Sequence, residues 1–242
     1  MLNIVVPIIS NTELKNNHNY PLALHEILNK SLIEYSLSCI INTDENIKYI
    51  FLISEFDCLK FHLDDSIKIL FPSAKIVVLK SVTKGTVCSV LMAIDEIEEN
   101  SELLIFNYNQ YFSFDIFNVI SSFRNLEVDS GIITFDSIHP RWAYAILENN
   151  YVIQTAEKRP LSGNAISGLY YFKNSSKYLE NSYEVIRIDD SFEGGYYISS
   201  VINQYVLNGG KIYSQQIDSK QYFTFYSTQS INEFENFLIT NK

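Results

Sequence analysis

Short apolar runs alternate with stretches of helical periodicity through the first half of the chain. The runs are typical of strands buried on both faces, and they cover residues 2–9, 49–54, 75–79 and 102–106. Between them, apolar residues recur every three to four positions, which predicts helices over 22–41, 56–71, 87–97 and 112–123. Because parallel strands need crossover helices, this alternation predicts an α/β fold with a doubly wound, mostly parallel sheet.

The second half follows a different pattern, in which strand-like segments are joined by short turns. These segments cover residues 131–135, 142–147, 151–156 and 166–172. A helix over 197–207, stopped by Gly209 and Gly210, is predicted to precede an edge strand near 211–216 and a last helix over 230–239. No repeat, low-complexity tract or linker interrupts the chain, so we expect residues 1–242 to form a single domain.

The composition favours a packed globular protein and disfavours two classes of partner. Hydrophobic residues make up 47% of the 242 positions, which is enough for a sizeable core. The net charge is −10 and no stripe of Lys and Arg appears, so we expect no nucleic-acid partner. No apolar run is long enough to span a bilayer, and the first residues lack the features of a signal peptide. We therefore expect a cytoplasmic protein with no membrane partner.

The cysteines do not form a metal-binding pattern. Cys39, Cys58 and Cys88 include no CxxC pair and no neighbouring histidine cluster. Each lies among apolar residues, which predicts buried free thiols, and no zinc site is expected.

The first turn of the chain lacks glycine at a place where many nucleotide-binding α/β proteins need it. No glycine precedes Gly85, and the turn over 10–17 contains neither glycine nor arginine. A Cβ blocks close approach of the backbone to a phosphate and disfavours positive φ. A phosphate site at this turn is therefore either built unusually or lost.

Four stretches resemble segments of the sugar-1-phosphate nucleotidyltransferase family, in the branch found in bacterial capsule and surface-polysaccharide loci. They are residues 20–34, 83–91 (TKGTVCSVL), 130–145 (including HPRWAYA) and 156–172 (including AEKRPLS and ISGLYYF). The last two are the most specific. The resemblance covers most of residues 1–205 and implies a Rossmann-like sheet of nucleotidyltransferase type, close to the glycosyltransferase-A fold. It also implies a sugar phosphate or nucleotide sugar as the ligand.

The resemblance places the sugar-binding residues after the third strand of the second half. It implies that Glu157 binds sugar hydroxyls, that Lys158 binds the sugar phosphate, and that Gly168 lies close to the sugar. Trp142, in one of the two most specific stretches, is a further candidate for substrate binding. Without the resemblance, Glu157 and Lys158 are typical of a surface charge pair, and Trp142 is typical of a core residue.

On the nucleotide side the resemblance is incomplete. Gly85 matches the family's glycine beneath the base and Thr86 follows it, whereas Asn109 stands where the family has the aspartate that binds magnesium. The family's first lysine falls on Leu22, and Glu193 is only a shifted match to its second acidic ligand. Since Mg²⁺ prefers anionic oxygen ligands, we predict no metal site and no cofactor, with Mg²⁺ allowed only through degraded ligands. No catalytic residue is assigned.

Three functions remain open at this point. The first is an active nucleotidyltransferase with a rebuilt loop, in which Lys15 or Lys84 supplies the cation and Glu193 or an aspartate binds the metal. The second is a protein with impaired or absent catalysis that binds a sugar phosphate or nucleotide sugar, as a homo-oligomer or as the partner of an active homologue. The third is a glycosyltransferase on the same fold, although residues 107–109 (NYN) lack the aspartates of the Asp-x-Asp motif such enzymes usually use.

Overall fold

The computed structural model describes residues 1–9, 21–42 and 46–241. The strands in these ranges are β1 (Leu2–Ile8), β2 (Glu26–Ile27), β3 (Lys30–Ser31), β4 (Ile47–Ser54), β5 (Lys75–Leu79), β6 (Glu102–Phe106), β7 (Gln110–Phe112), β8 (Ser130–Asp136), β9 (Tyr144–Glu148), β10 (Tyr151–Ala156), β11 (Asn164–Phe172), β12 (Ile212–Gln216) and β13 (Tyr222–Thr224). The helices are α1 (Leu32–Ser38), α2 (Glu55–Phe61), α3 (Leu63–Leu70), α4 (Gly85–Leu91), α5 (Ile116–Asn125), α6 (Ser175–Arg187), α7 (Ile198–Leu207) and α8 (Thr228–Thr240). The predicted α/β class is confirmed.

The main sheet changes character between its two halves. Its order is β5-β4-β1-β6-β11-β8-β12-β10-β9, and the first four strands are parallel, as predicted. Beyond β6, only β8 and β12 pair in parallel, and the other pairings are antiparallel. Because β11 also pairs with β9, the described strands from β11 to β9 close into a small five-stranded barrel. The expectation of a mostly parallel sheet is therefore wrong for this half.

A short connection accounts for one of the antiparallel pairings, that of β9 with β10. Antiparallel neighbours need only a two-residue hairpin, whereas parallel neighbours need a longer crossover. Asn149 and Asn150 join β9 to β10 with φ of 51° and 67°, the conformation of a tight hairpin turn. The strand predicted as an edge strand near 211–216 is instead an interior strand of the sheet. The corresponding strand β12 pairs with β8 on one side and with β10 on the other.

Both faces of the parallel half are covered by helices. On β1, Ile4, Val6 and Ile8 pack in one cluster with side chains of α1, α3 and α5. Val5 packs in a second cluster with side chains of α4, α6 and α7. A strand buried on both faces has this alternation, which is why its sequence is apolar throughout.

Several predicted helices are shorter or broken. Only Leu32–Ser38 of the predicted 22–41 helix is α-helical, because a 3₁₀ turn and the β2–β3 hairpin occupy its first half. In that hairpin Leu28 and Asn29 have positive φ, and the helix starts at Ser31, whose side chain forms a capping box with Glu34. The 56–71 helix breaks at His62, whose φ of 50° separates α2 from α3.

The other helix boundaries also differ from the predicted ones. The 87–97 segment is α4 and a 3₁₀ turn at Ile94–Glu96, and the 112–123 segment is the end of β7 followed by α5. Helix α6 was not predicted, although Asn174 caps its first turn by accepting a hydrogen bond from the Lys177 amide.

Within the described ranges, no helix is both long and apolar enough to cross a membrane. The three cysteines are free, and each is partly rather than fully buried. Burial raises the pKa of the Cys39 thiol to about 12 and that of Cys58 to about 11. These thiols are therefore poor nucleophiles at neutral pH.

Candidate functional site

Glu157 follows the last residue of β10 and is held against α7. The Thr155 hydroxyl donates to the Ser199 carbonyl at 2.6 Å, and the Asn203 side chain bonds both backbone polar groups of Thr155. These contacts bring the Glu157 carboxylate to the Ser199 hydroxyl, which donates to it at 2.8 Å. Burial raises the pKa of Glu157, and the Ser199 hydroxyl and the Lys158 charge only partly offset that effect.

Lys158 faces a different neighbour from Glu157 because its backbone is left-handed, with φ of 50°. Its Nζ lies 3.5 Å from the Glu193 carboxylate, and it lies 5.7 Å and 5.6 Å from the ring centroids of Phe192 and Tyr197. Burial lowers the pKa of Lys158, but Tyr197, Glu193 and Glu157 outweigh this, so the pKa is raised. The ammonium group is thus charged and directed at residues 192–197, with 37% of the side chain exposed.

Residues 192–197 form a tight hairpin, which we call the 192–197 hairpin. Phe192 and Gly195 pair across a turn whose two central residues, Glu193 and Gly194, both have positive φ. The backbone of Tyr196 then bonds the start of α4: its N–H donates to the Lys84 carbonyl, and its carbonyl accepts from the Val87 N–H. The hairpin therefore contacts both Lys158 and the segment that begins at Lys84.

Gly85 is required by this contact. Its φ is +87°, and a Cβ there would lie 2.3 Å from the carbonyl oxygen of Tyr196. Thr86 follows in the first turn of α4 and is half-buried. Lys84 occupies the cap position of α4, and the Thr83 hydroxyl bonds the Ser89 hydroxyl at 2.6 Å.

Gly168 lies in an irregular part of β11. Ile166 pairs with Thr134 and Tyr170 with Ile132, so the strand carries extra residues between these pairs. The Gly168 carbonyl accepts from the Asn107 N–H, and its own N–H donates to the Gln110 side chain at 3.0 Å. A Cβ at Gly168 would lie 2.6 Å from that of Asn107. Both backbone groups of Gly168 are thus bonded within the protein.

Asn109 is bound to the C-terminal segment of the chain. Its carbonyl accepts from the N–H of Phe225, the residue before Tyr226, at 3.0 Å. Burial raises the pKa of Tyr226, and the Glu157 carboxylate contributes to this rise. Burial and Glu157 likewise raise the pKa of Tyr170, so both tyrosines lie within the electrostatic range of Glu157.

These side chains do not fit a magnesium ion. Asn109 is neutral, and Glu193, the shifted match to the family's second acidic ligand, is paired with Lys158. Across residues 1–9, 21–42 and 46–241, no three His, Cys, Asp or Glu side chains are grouped closely enough to hold a metal. Residues 10–17, where the family's phosphate-binding loop would be, lie outside the described ranges.

Trp142 lies in the turn before β9 rather than on the strand predicted to start there. Its ring is half-buried and contacts Phe135 and Tyr226 at 5.3 Å between centroids and Tyr222 at 6.2 Å. The Arg141 guanidinium lies 5.4 Å from the Tyr226 ring. Trp142 therefore belongs to an aromatic cluster beside Asn109, and its contact with a ligand stays a prediction.

Sequence reasoning missed three residues of this region, namely Gln110, Ser199 and Tyr226. The alternating aromatic residues of 222–226 (YFTFY) are a signal for a strand, and β13 forms there. Neither Ser199 nor Gln110 carries such a signal. The packing of α7 brings Ser199 to Glu157, and the path of the chain after β6 brings Gln110 to Gly168.

No protein-family model and no curated protein sequence matches the chain. Solved structures do match it along nearly its whole length. A nucleoside-diphosphate-sugar pyrophosphorylase from Vibrio cholerae RC9 is 21% identical, with a TM-score of 0.81 over 98% of this chain and 100% of that one. A UDP-glucose pyrophosphorylase complexed with UDP-glucose is 13% identical, with a TM-score of 0.77 over 99% of each chain.

A putative glucose-1-phosphate thymidylyltransferase from Bacillus anthracis is also similar, at 18% identity and a TM-score of 0.73 over 98% of this chain and 95% of that one. The fold is that of the sugar-phosphate nucleotidyltransferases. At these identities the likeness concerns the fold, which the resemblance in sequence had implied.

Proposed function

We propose that this protein is a nucleotidyltransferase-like protein of surface-polysaccharide (capsule) biosynthesis whose catalysis is impaired. It binds a sugar phosphate or a nucleotide sugar in the cytoplasm as a single domain. The observation that carries this proposal is the whole-chain likeness to the Vibrio cholerae pyrophosphorylase, with a TM-score of 0.81. Since one fold hosts many functions, the residues of the site decide which parts of the activity this chain keeps.

The sugar-binding side supports ligand binding. Glu157 is half-buried and offers a carboxylate to sugar hydroxyls, while Lys158 offers a point charge to a phosphate. The left-handed backbone at Lys158 lets two consecutive residues face different parts of one ligand. Gly85, Thr86 and Asn109 remain candidates for contact with a nucleotide.

The triphosphate side supports impaired catalysis. Nucleotidyl transfer forms a bond between the sugar phosphate oxygen and the α-phosphorus and releases pyrophosphate, and its transition state needs neutralising cations. Leu22, at the position of a family lysine, lies in an apolar cluster with Phe225 and Phe234. Asn109, at the position of the metal aspartate, is neutral, and its carbonyl accepts from the Phe225 N–H. Neither position supplies the charge that the reaction needs.

Ligand binding and pyrophosphate release test the two parts of the proposal separately. We expect a sugar 1-phosphate or nucleotide sugar to raise the melting temperature without Mg²⁺, because a ligand at a hundredfold excess over Kd stabilises a fold by about 2.7 kcal/mol. We expect no Mg²⁺-dependent shift with nucleoside triphosphates. Robust pyrophosphate release would contradict impaired catalysis. A screen of sugar phosphates and nucleotide sugars that finds no binding would contradict the proposed ligand class.

A further inference from the structure

Strand β5 leaves one edge of the main sheet open. It is the first strand in the order of the sheet, and among the described strands only β4 pairs with it. At the other end of the order, β9 is closed onto β11. An edge strand presents a row of backbone N–H and C=O groups that have no partner in its own sheet. Such a row can pair with a strand of another chain.

This edge lacks two of the features that usually keep edge strands from pairing. The pairing of β5 with β4 contains no bulge, and residues 73–84 contain no proline. Val78 on the strand is 45% exposed, and Val82, which follows the strand, is 87% exposed. Exposed β-branched side chains beside an unpaired backbone favour the addition of a further strand.

The edge is basic in a chain whose net charge is −10. Residues 66–94, which include β5 and α4, contain no Asp or Glu and carry Lys68, Lys75, Lys80 and Lys84. Lys75 begins β5 and Lys80 follows its last residue, and both side chains are exposed. Neither forms an ion pair with a carboxylate of residues 1–9, 21–42 or 46–241. Two uncompensated positive charges thus lie at the two ends of the open edge.

These charges decide which strand the edge can accept. If two copies of the chain paired antiparallel through the middle of β5, Lys75 of one copy would lie opposite or next to Lys80 of the other, at both ends of the strand. Like charges across a strand pair are destabilising, so the lysines disfavour a second copy. A strand with acidic residues at the same places is instead attracted, and its charges would also steer it to this edge.

We infer that the outer edge of β5 binds an extended acidic segment of another protein, which adds a strand to the sheet and places carboxylates at Lys75 and Lys80. Main-chain hydrogen bonds hold such a segment, and its side chains select it. Lys75 and Lys80 are five positions apart, so a matching segment carries two acidic residues at that separation with β-branched residues between them. An anionic membrane would attract the same lysines but offers no partner to the unpaired backbone. The inference does not depend on the proposed function, because neither lysine belongs to the candidate site.

Amide NMR spectra of the full chain, titrated with designed peptides, test the inference. The probe is the capped peptide GEVTVTEG, whose two glutamates have the separation of Lys75 and Lys80. We expect shifts confined to β5 and its neighbours. The peptide GKVTVTKG, with lysine for both glutamates, should bind at least about tenfold more weakly. A form of GEVTVTEG that is N-methylated at alternate residues keeps the charges but loses backbone donors, and it should bind at least about tenfold more weakly as well.

Charge reversal in the protein provides the complementary measurement. We expect the double variant Lys75→Glu, Lys80→Glu to bind GEVTVTEG at least about tenfold more weakly than the wild type does and to bind GKVTVTKG more tightly. The control is Lys173→Glu, Lys220→Glu, which changes the net charge equally at two exposed lysines outside residues 66–94. It should bind both peptides within about twofold of the wild type, because distant exposed charges are screened by salt.

Four results would overturn the inference, and each leaves the proposed function intact because no sugar ligand is involved. The first is the absence of shifts with GEVTVTEG at about 1 mM. The second is equal binding of the acidic, basic and N-methylated peptides.

The other two results would assign the edge to a different occupant. Shifts of β5 amides that appear on raising the protein concentration without peptide would assign it to a second copy. Flotation of the wild type, but not of Lys75→Glu, Lys80→Glu, with phosphatidylserine vesicles in the absence of peptide binding would assign the lysines to a membrane surface. If the charge-reversed variant fails to fold, the three peptides still test the inference on the wild type.

Discussion

The two sides of the proposed site, one for the sugar and one for the triphosphate, differ in charge. On the sugar-binding side, Glu157 and Lys158 are bonded to residues of 192–199. On the triphosphate side, Leu22 packs in an apolar cluster and Asn109 bonds the C-terminal segment. The packing of this fold thus does not need the charges of phosphate chemistry. One half of a site can become neutral while the architecture stays the same.

The largest effect should come from the contact that brings the sugar-binding side to α4. We expect Gly85→Ala to lower the free energy of unfolding by about 3 kcal/mol, because the Cβ meets the Tyr196 backbone and φ is +87°. Gly194→Ala is the matched control, since φ is +77° there and a Cβ would meet nothing within 4 Å. It should cost only about 1 kcal/mol. Equal losses in urea denaturation would contradict the contact.

The second effect concerns the charge of the sugar-binding side. We expect Lys158→Ala to weaken binding of a sugar phosphate or nucleotide sugar by at least roughly tenfold, with little change in stability. Lys177, which pairs with Asp129 at 3.8 Å on the surface, is the control, and Lys177→Ala should not change the affinity. If calorimetry finds the same affinity in Lys158→Ala as in the wild type, Lys158 does not bind the phosphate.

The pH dependence of stability should distinguish Glu157 from Glu102, a carboxylate remote from the site. Burial raises the pKa of Glu157. Its favourable contribution to the free energy of unfolding is therefore present below the ordinary carboxyl pKa and is lost as pH rises through the raised pKa. Glu157→Gln should therefore stabilise the fold increasingly as pH rises from 4 to 7.

The opposite holds for Glu102. Burial tends to raise its pKa, but the bonds from Arg124 and Tyr171 outweigh burial and lower it. The contribution of Glu102 to the free energy of unfolding is therefore present above the ordinary carboxyl pKa and is lost as pH falls through its lowered pKa. Glu102→Gln should cost about 1–2 kcal/mol at pH 7 and progressively less toward pH 3. Parallel pH profiles of the two variants in urea denaturation would refute this assignment.

The smallest effect should come from the partner of Lys158. Glu193 competes with an anionic ligand for the ammonium group, 3.5 Å away. We expect Glu193→Gln to tighten binding of glucose 1-phosphate by about two- to fivefold and to leave the stability nearly unchanged, because exposed ion pairs contribute little. Weaker binding in calorimetry, above all if it appears only with Mg²⁺, would instead indicate that Glu193 binds a metal.

The elements predicted best are those in which the hydrophobic pattern of the sequence agrees with the burial of the segment in the structure. The strands β1 and β6 match their apolar runs to within about a residue, because almost all of their side chains are buried on both faces of the sheet. The edge strand β5 also matches its run, although only Leu79 is buried in it. The 22–41 segment shows the opposite case. Its apolar spacing is helical, but positive φ at Leu28 and Asn29 turns the chain into a hairpin. Single-residue backbone conformations of this kind are not visible in a hydrophobic pattern.

The candidate site divides in the same way. Residues 156–172 were identified by their resemblance to a motif, and the structure places Glu157 and Lys158 directly after β10, the strand predicted over 151–156. Their role in binding stays a prediction. The neighbours of these two residues were not foreseen. Ser199, Glu193 and Tyr226 are distant in sequence and are brought to the site by α7, by the 192–197 hairpin and by the C-terminal segment.

By itself, the sequence determined the α/β class, the parallel first half and the neutral side chains of Leu22 and Asn109, since these depend on local pattern and residue identity. Only the tertiary structure decided the closure of the second half into a barrel, the pairing of Lys158 with Glu193 and the open edge of β5. The physical reason is that these features depend on which distant segments meet. Strand register and burial determine that, and neither is a property of any short stretch of sequence.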